Sequence, residues 1–169
     1  EAAPEKLLNA LQSRTIDVAV APAGMEESGI LARSVWSDRL MVALQSGHRL
    51  LESDRIYWSD LRREVFVVPG GGIGPTLANL LAARLTGQGG RPNIIVQNTS
   101  LESVLSIVSV GRFISIATEA SQGVTWPDLH FRDIHDQNGT TRLEFSVYWR
   151  EDNDNPALPA FKGLVQTLV

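Results

Sequence analysis

The sequence predicts an α/β fold with parallel strands and helices on the sheet faces. Three observations predict it. The run from Pro92 to Thr118 reads as strand, helix cap, helix, glycine turn and strand. The run from Val65 to Leu85 repeats that plan with a glycine-rich loop after the strand. Alternating apolar strands and short amphipathic helices occupy both ends of the chain.

The 92–118 unit is the most readable part. Ile94–Val96 is apolar and β-branched, the composition of a buried strand. Thr99 and Glu102 have the spacing of a capping box, which predicts a helix start there. Leu101, Val104, Leu105 and Val108 then recur at helical spacing, with Ile107 beside them. Gly111 sits where a left-handed residue ends a helix. Phe113, Ile114 and Ile116 begin the next strand. In a βαβ unit of this kind, the end of the first strand and the N-terminus of the helix face a common ligand position.

Earlier in the chain, Pro4 suits a first helical turn, and Leu7, Leu8 and Leu11 form its apolar stripe. Glu1–Ala3 read as the tail of something upstream. Ile16, Val18 and Val20 predict a strand ending at Ala21–Pro22. Further strands are expected at Ile30–Ser34 and Arg39–Leu44. The runs 46–51 and 58–64 read as short helical turns, with Ser59 or Asp60 capping the second. Val65–Val68 is a buried strand, followed by Pro69, Gly70, Gly71, Gly72 and Gly74. Pro75 opens a helix whose face is Leu77, Leu80, Leu81 and Leu85.

Residues 86–92 and 122–127 read as loops, and Leu129–Ile134 as a strand. Asn138–Gly139 is a tight-turn signal. Leu143, Phe145, Val147 and Trp149 predict a half-exposed strand. Asn155 caps a last helix that includes Pro156 and buries Leu158, Phe161, Val165 and Leu168.

Composition removes several functions. The 169 residues hold 15 basic and 19 acidic side chains, a net charge of −4. This argues against the chain itself being a nucleic-acid surface, which wants clustered Lys and Arg. With no cysteine, disulfides, thiolate catalysis and Cys-based zinc sites are excluded. No apolar run approaches the ~20 residues of a membrane span.

The candidate chemical motifs fail one by one. The glycine loop lacks the Gly-Lys-Ser/Thr ending of a P-loop, and neither glycine register completes a dinucleotide fingerprint. It reads as a flexible turn, or as bare backbone touching a small ligand. His130 and His135 point to opposite strand faces, so they do not form a metal site with Asp133 and Asp136. Asp152–Asn155 starts like a calcium loop, but Ala157 and Gly163 stand where Gly and Glu are needed. His48 reads as a surface residue. No nucleophile motif and no acid–base carboxylate pair is present. No cofactor and no metal are expected, and the protein is not expected to be an enzyme.

The ordered stretches 7–22, 36–50, 60–69, 100–121 and 148–165 together resemble the effector-binding domain of LysR-type transcriptional regulators. The resemblance covers nearly the whole chain and rests on order and spacing. It implies a type 2 periplasmic-binding-protein fold, two-lobed, with mixed sheets and flanking helices, and a small-molecule cleft between lobes joined by two crossing strands. Lobe II would be residues 37–135 and lobe I residues 1–36 with 136–169. Lobe I would be incomplete at its N-terminus, and the DNA-reading helix-turn-helix would lie outside this chain. By position, the resemblance places effector contacts at Pro22, at Pro69, Gly70, Gly71 and Gly72, and at Asn98, Thr99 and Ser100, next to Gln97. Pro22 offers no side-chain donor, and Phe113 replaces the second glycine of the family's G-x-G turn. The partners implied are a small-molecule effector, further copies of the chain as a homodimer or homotetramer, DNA through the missing N-terminal domain, and no membrane. The location implied is cytoplasmic. Two other readings use the same fold: a secreted solute-binding protein, and a small-molecule enzyme on a two-lobed scaffold.

Overall fold

In the computed structural model, which describes residues 2–86 and 91–166, helix α1 (Pro4–Gln12) leads into strands β1 (Val18–Pro22) and β2 (Ile30–Gln45). Strands β3 (Ile56–Tyr57) and β4 (Val65–Pro69), helix α2 (Gly74–Leu85) and strand β5 (Asn93–Gln97) follow. Next come helix α3 (Leu101–Ser109) and strands β6 (Ser115–Thr118), β7 (Leu129–Asp136), β8 (Gly139–Thr140) and β9 (Arg142–Arg150). Helix α4 (Leu158–Gln166) closes the order. The chain divides into two compact units. One holds Arg39–Arg142; the other holds Ala2–Asp38 with the chain from Leu143 onward. The chain passes from one unit to the other within β2 and returns at the start of β9.

In the Arg39–Arg142 unit, β4 is the central strand. It pairs in parallel with β5, from Val65↔Asn93 to Pro69↔Gln97. On its other side Phe66 bridges Ile114, also in parallel. The βαβ unit therefore straddles β4 instead of placing β5 beside β6. The sheet then turns antiparallel: β6 pairs with β2, β2 with β7, and β7 pairs in parallel with β3. Strand alternation sends Phe66 and Val68 to one face and Val67 to the other. The first face is covered by Leu77, Leu81 and Leu85 of α2, and the second by Val104, Leu105 and Val108 of α3. Leu80 packs at the margin of the α2 face.

In the other unit, β9 lies between β1 and β2. Tyr148 faces α1, in a cluster with Leu11, Ala19 and Ala21. Val147 and Trp149 face α4, with Leu158 and Val165. The Tyr148 hydroxyl donates to the Pro22 carbonyl at 3.0 Å. The buried Arg150 guanidinium donates to the Leu11 carbonyl at 2.7 Å, which ties the end of α1 to the sheet.

Several sequence expectations need correction. The two strands expected at 30–34 and 39–44 are one strand, β2. Its burial changes where the chain changes units, so polar Ser37 and Asp38 look like a break. Among the described residues β5 is an edge strand with one paired neighbour, and Val96 is 59% exposed rather than buried. In β1 the buried alternate set is Ala19 and Ala21, while Val20 is exposed. Ser146–Arg150 are buried on both faces, because α1 packs against one face of that half of β9 and α4 against the other. Helix α4 starts at Leu158, so Pro156 precedes it. Asn155 caps the turn before it, accepting from the Ala157 N–H at 2.9 Å. Asp60 works from inside its turn, accepting from the Tyr57 N–H at 2.8 Å. Leu168, Glu1 and the 87–90 part of the 86–92 loop lie outside the described residues.

Asx and glycine turns fall where the sequence places them. Asp136 accepts from the Asn138 N–H, and Gly139 has φ +122°. Gly111 ends α3 with φ +88°. Arg112 shares the left-handed region at φ +93°, whereas Phe113, at the place of the second glycine, does not take a positive φ and packs into the α3-side core.

At the boundary of the Arg39–Arg142 unit, Glu119 accepts from the Arg39 backbone N–H at 2.9 Å and from its Nε at 2.8 Å. Arg142 stands 3.8 Å from the same carboxylate, and Arg39 also bonds Asp133. The Arg39 side chain, then its backbone N–H, holds the Glu119 carboxyl below its ordinary value of 4.5. A carboxyl depressed in the fold contributes stability above its unfolded pKa and loses it as pH falls through the folded value. Glu119→Gln is therefore expected to lower the urea midpoint at neutral pH. It should also flatten the loss of stability below about pH 4.5, as read by urea titrations across that window.

Candidate functional site

The carboxyl ends of β4 and β5 bring the two predicted loops together. The Gly70 N–H donates to the Gln97 carbonyl at 2.7 Å. A Cβ on Gly70 would stand 3.3 Å from that carbonyl oxygen and 3.6 Å from the Asn98 Cα. Pro69, Gly70, Gly71 and Gly72 thus run beside Asn98, Thr99 and Ser100, and each loop enters a helix. Pro22, the remaining predicted residue, ends β1 in the other unit, where it is buried and bonded to Tyr148.

The two helix entries differ. In α3 the N-cap is Ser100, one residue later than the expected Thr99. Its hydroxyl accepts from the Ser103 N–H at 3.3 Å. Thr99 instead closes a tight turn onto the Gln97 carbonyl. Glu102 still serves this end, because the Ser100 hydroxyl and then the helix backbone hold its carboxyl below the usual range. The positive end of α3 therefore already carries a carboxylate. Helix α2 has no side-chain cap and no acidic residue in its first turn. Of the two ends, α2 has the less neutralised positive end, while its Gly74 N–H already bonds the Gly71 carbonyl at 2.9 Å and Pro75 has no N–H to offer.

Gly74 is the residue that sequence reasoning missed here. A Cβ on it would lie 1.8 Å from the Pro69 carbonyl oxygen. Only glycine lets the start of α2 pass this close to the end of β4. The sequence places Gly74 in a glycine run but carries no signal that this one is sterically required. Gly71 is the opposite case, exposed and with nothing within 4 Å of a built Cβ. Gly72 takes φ +55° and turns the loop.

The histidines and acids are engaged separately. His130 bonds Ser46 at 3.0 Å, Asp133 bonds Arg39, and His135 stands against the Tyr57 ring. The His48 ring accepts from the Leu50 N–H. Asn153 and Asn155 tie their loop to Asp17. Among the described residues, no group of three or more His, Cys, Asp or Glu is placed to hold a metal ion. No helix among them is long and apolar enough to cross a membrane.

The family model of the LysR substrate binding domain matches residues 1–169. The chain belongs to that family. A relative, the HTH-type transcriptional regulator ClcR of Pseudomonas putida, is 22% identical over 94% of this chain and 53% of its own length. The chain spans about half the length of the curated relatives it matches. Full-length CbnR, a LysR family regulator solved with its target DNA, superposes with a TM-score of 0.81 at 19% identity. That match covers 99% of this chain and 57% of CbnR. The BenM effector-binding domain, solved with its effector benzoate, superposes with a TM-score of 0.77 at 17% identity, over 97% of this chain and 74% of BenM. These matches show the fold: that of LysR effector-binding domains, the type 2 periplasmic-binding class. The curated relatives are HTH-type transcriptional regulators. For this LysR domain, the α2-side and α3-side packing explains why the strand-end loops hold their places: each loop leaves a buried or edge-paired strand and enters a helix anchored on one sheet face.

Proposed function

We propose that this LysR domain is the ligand-sensing part of a DNA-binding transcriptional regulator. Its effector site is Pro69–Gly72 with Asn98, Thr99 and Ser100. Pro22 is proposed as a further effector contact on the resemblance alone. The observation that carries this reading is the Gly70–Gln97 bond, which sets two helix entries and a stretch of bare backbone side by side at the strand ends. Ligands in open α/β sheets bind at such ends.

In this reading lobe II is residues 37–135, most of the Arg39–Arg142 unit, and lobe I is residues 1–36 with 136–169. The effector acts only through its different affinity for two states of the protein. DNA is read by a separate N-terminal domain, the working form is a homo-oligomer, and the protein acts in the cytoplasm. The uncapped α2 entry favours a small carboxylate, and BenM's benzoate makes aromatic carboxylates the first class to try.

The test is a thermal-shift panel of aromatic and aliphatic carboxylates, sugars and amino acids on this chain. A carboxylate that raises the melting temperature in a saturable way is the expected result. A panel with no shift contradicts sensing by this domain. A sugar-only response contradicts the anion assignment.

A further inference from the structure

At the far end of α2 from the glycine loop lies a cavity of about 390 Å³. Arg84 is ten residues past Gly74, about 15 Å along the helix, so this cavity is separate from the strand-end site. Its wall is aromatic on one side: Tyr57, 40% exposed, stands 5.9 Å from the His135 ring at a tilt of 51°. Trp58 is buried beneath, with the Arg84 guanidinium 5.9 Å over its ring. The polar side carries one charge of each sign. Arg84 Nη1 stands 3.5 Å from Asp136 Oδ2, too long for a strong charge-assisted hydrogen bond. The other Asp136 oxygen is already taken by the Asn138 N–H.

We propose that this cavity is a second small-molecule site, selective for an aromatic α-amino acid. The ring lies against Tyr57 and His135, the ligand carboxylate meets Arg84, and its ammonium meets the Oδ2 of Asp136. A zwitterion completes both protein charges at once, whereas a simple carboxylate must compete with Asp136 for Arg84. The volume falls within the range of small-molecule sites. The inference goes beyond the proposed effector site and does not depend on it.

The test is calorimetric titration of the chain with L-phenylalanine, with 3-phenylpropionate, which lacks the ammonium, and with phenethylamine, which lacks the carboxylate. L-phenylalanine is expected to bind, and each single-charge analogue at least tenfold more weakly. Arg84→Gln, Asp136→Asn and Tyr57→Ser should each weaken L-phenylalanine at least tenfold, while Gly71→Trp leaves it unchanged. Should Asp136→Asn fail to fold, the other two variants decide, since Arg84 is 44% and Tyr57 40% exposed. No heat at millimolar L-phenylalanine overturns the proposal. So does binding that survives Arg84→Gln and Tyr57→Ser. Loss of binding in Gly71→Trp alone would assign the amino acid to the strand-end site and overturn it equally.

Discussion

Gly74→Ala is expected to destabilise the Arg39–Arg142 unit by about 3 kcal/mol or more, at or above the upper end of ordinary overpacking. The added methyl would sit 1.8 Å from the Pro69 oxygen and 2.6 Å from its carbonyl carbon. Both obstacles are backbone, at the end of a buried strand, so no side chain can swing aside. Relief requires α2 to move away from β4, which would open the packing of Leu77 and Leu81 against Phe66 and Val68. Gly71→Ala, three residues earlier, is expected to change stability by no more than about 0.5 kcal/mol, as exposed substitutions usually do. Urea midpoints of the two variants make the comparison. Equal effects would mean that α2 does not begin against Pro69 as described.

The second large effect concerns ligand binding. An effector present at about 100 times its dissociation constant stabilises the fold by roughly 2.7 kcal/mol. For a chain of this size that raises the melting temperature by about 5–10 °C. Gly71→Trp should fold normally, because the position opens to free space. The indole would then occupy the mouth formed by the two strand-end loops. A tenfold loss of affinity cuts the stabilisation at the same ligand concentration to about 1.4 kcal/mol, and a larger loss removes it. A folded Gly71→Trp protein with an undiminished shift would place the effector elsewhere.

Much of this fold is legible in the sequence because its local signals agree. The β4–α2 and β5–α3 units each show an apolar strand, a turn and a helical stripe, and the structure keeps both. Pro4, Gly111 and Asn138–Gly139 act where local chemistry places them. The misread parts share one cause: they depend on contacts made in the folded chain that no local residue pattern announces. Val96 resembles a core residue until β5 proves to have one paired neighbour. Ser37 and Asp38 resemble a loop until β2 proves to run through two units. Gly74 resembles its glycine neighbours until the Pro69 carbonyl is placed against it. The candidate site was legible as two strand-end loops. Their direct contact through Gly70 and Gln97 was not, because it depends on the parallel register of β4 and β5.

The most direct measurement is an amide nitrogen–proton correlation map of the labelled domain, titrated with the strongest carboxylate from the thermal panel. The largest shifts are predicted at Gly70, Gly71, Gly72, Asn98, Thr99 and Ser100, with smaller ones in the first turns of α2 and α3. Saturable shifts concentrated elsewhere, with these six unmoved, would contradict the assignment of the effector site.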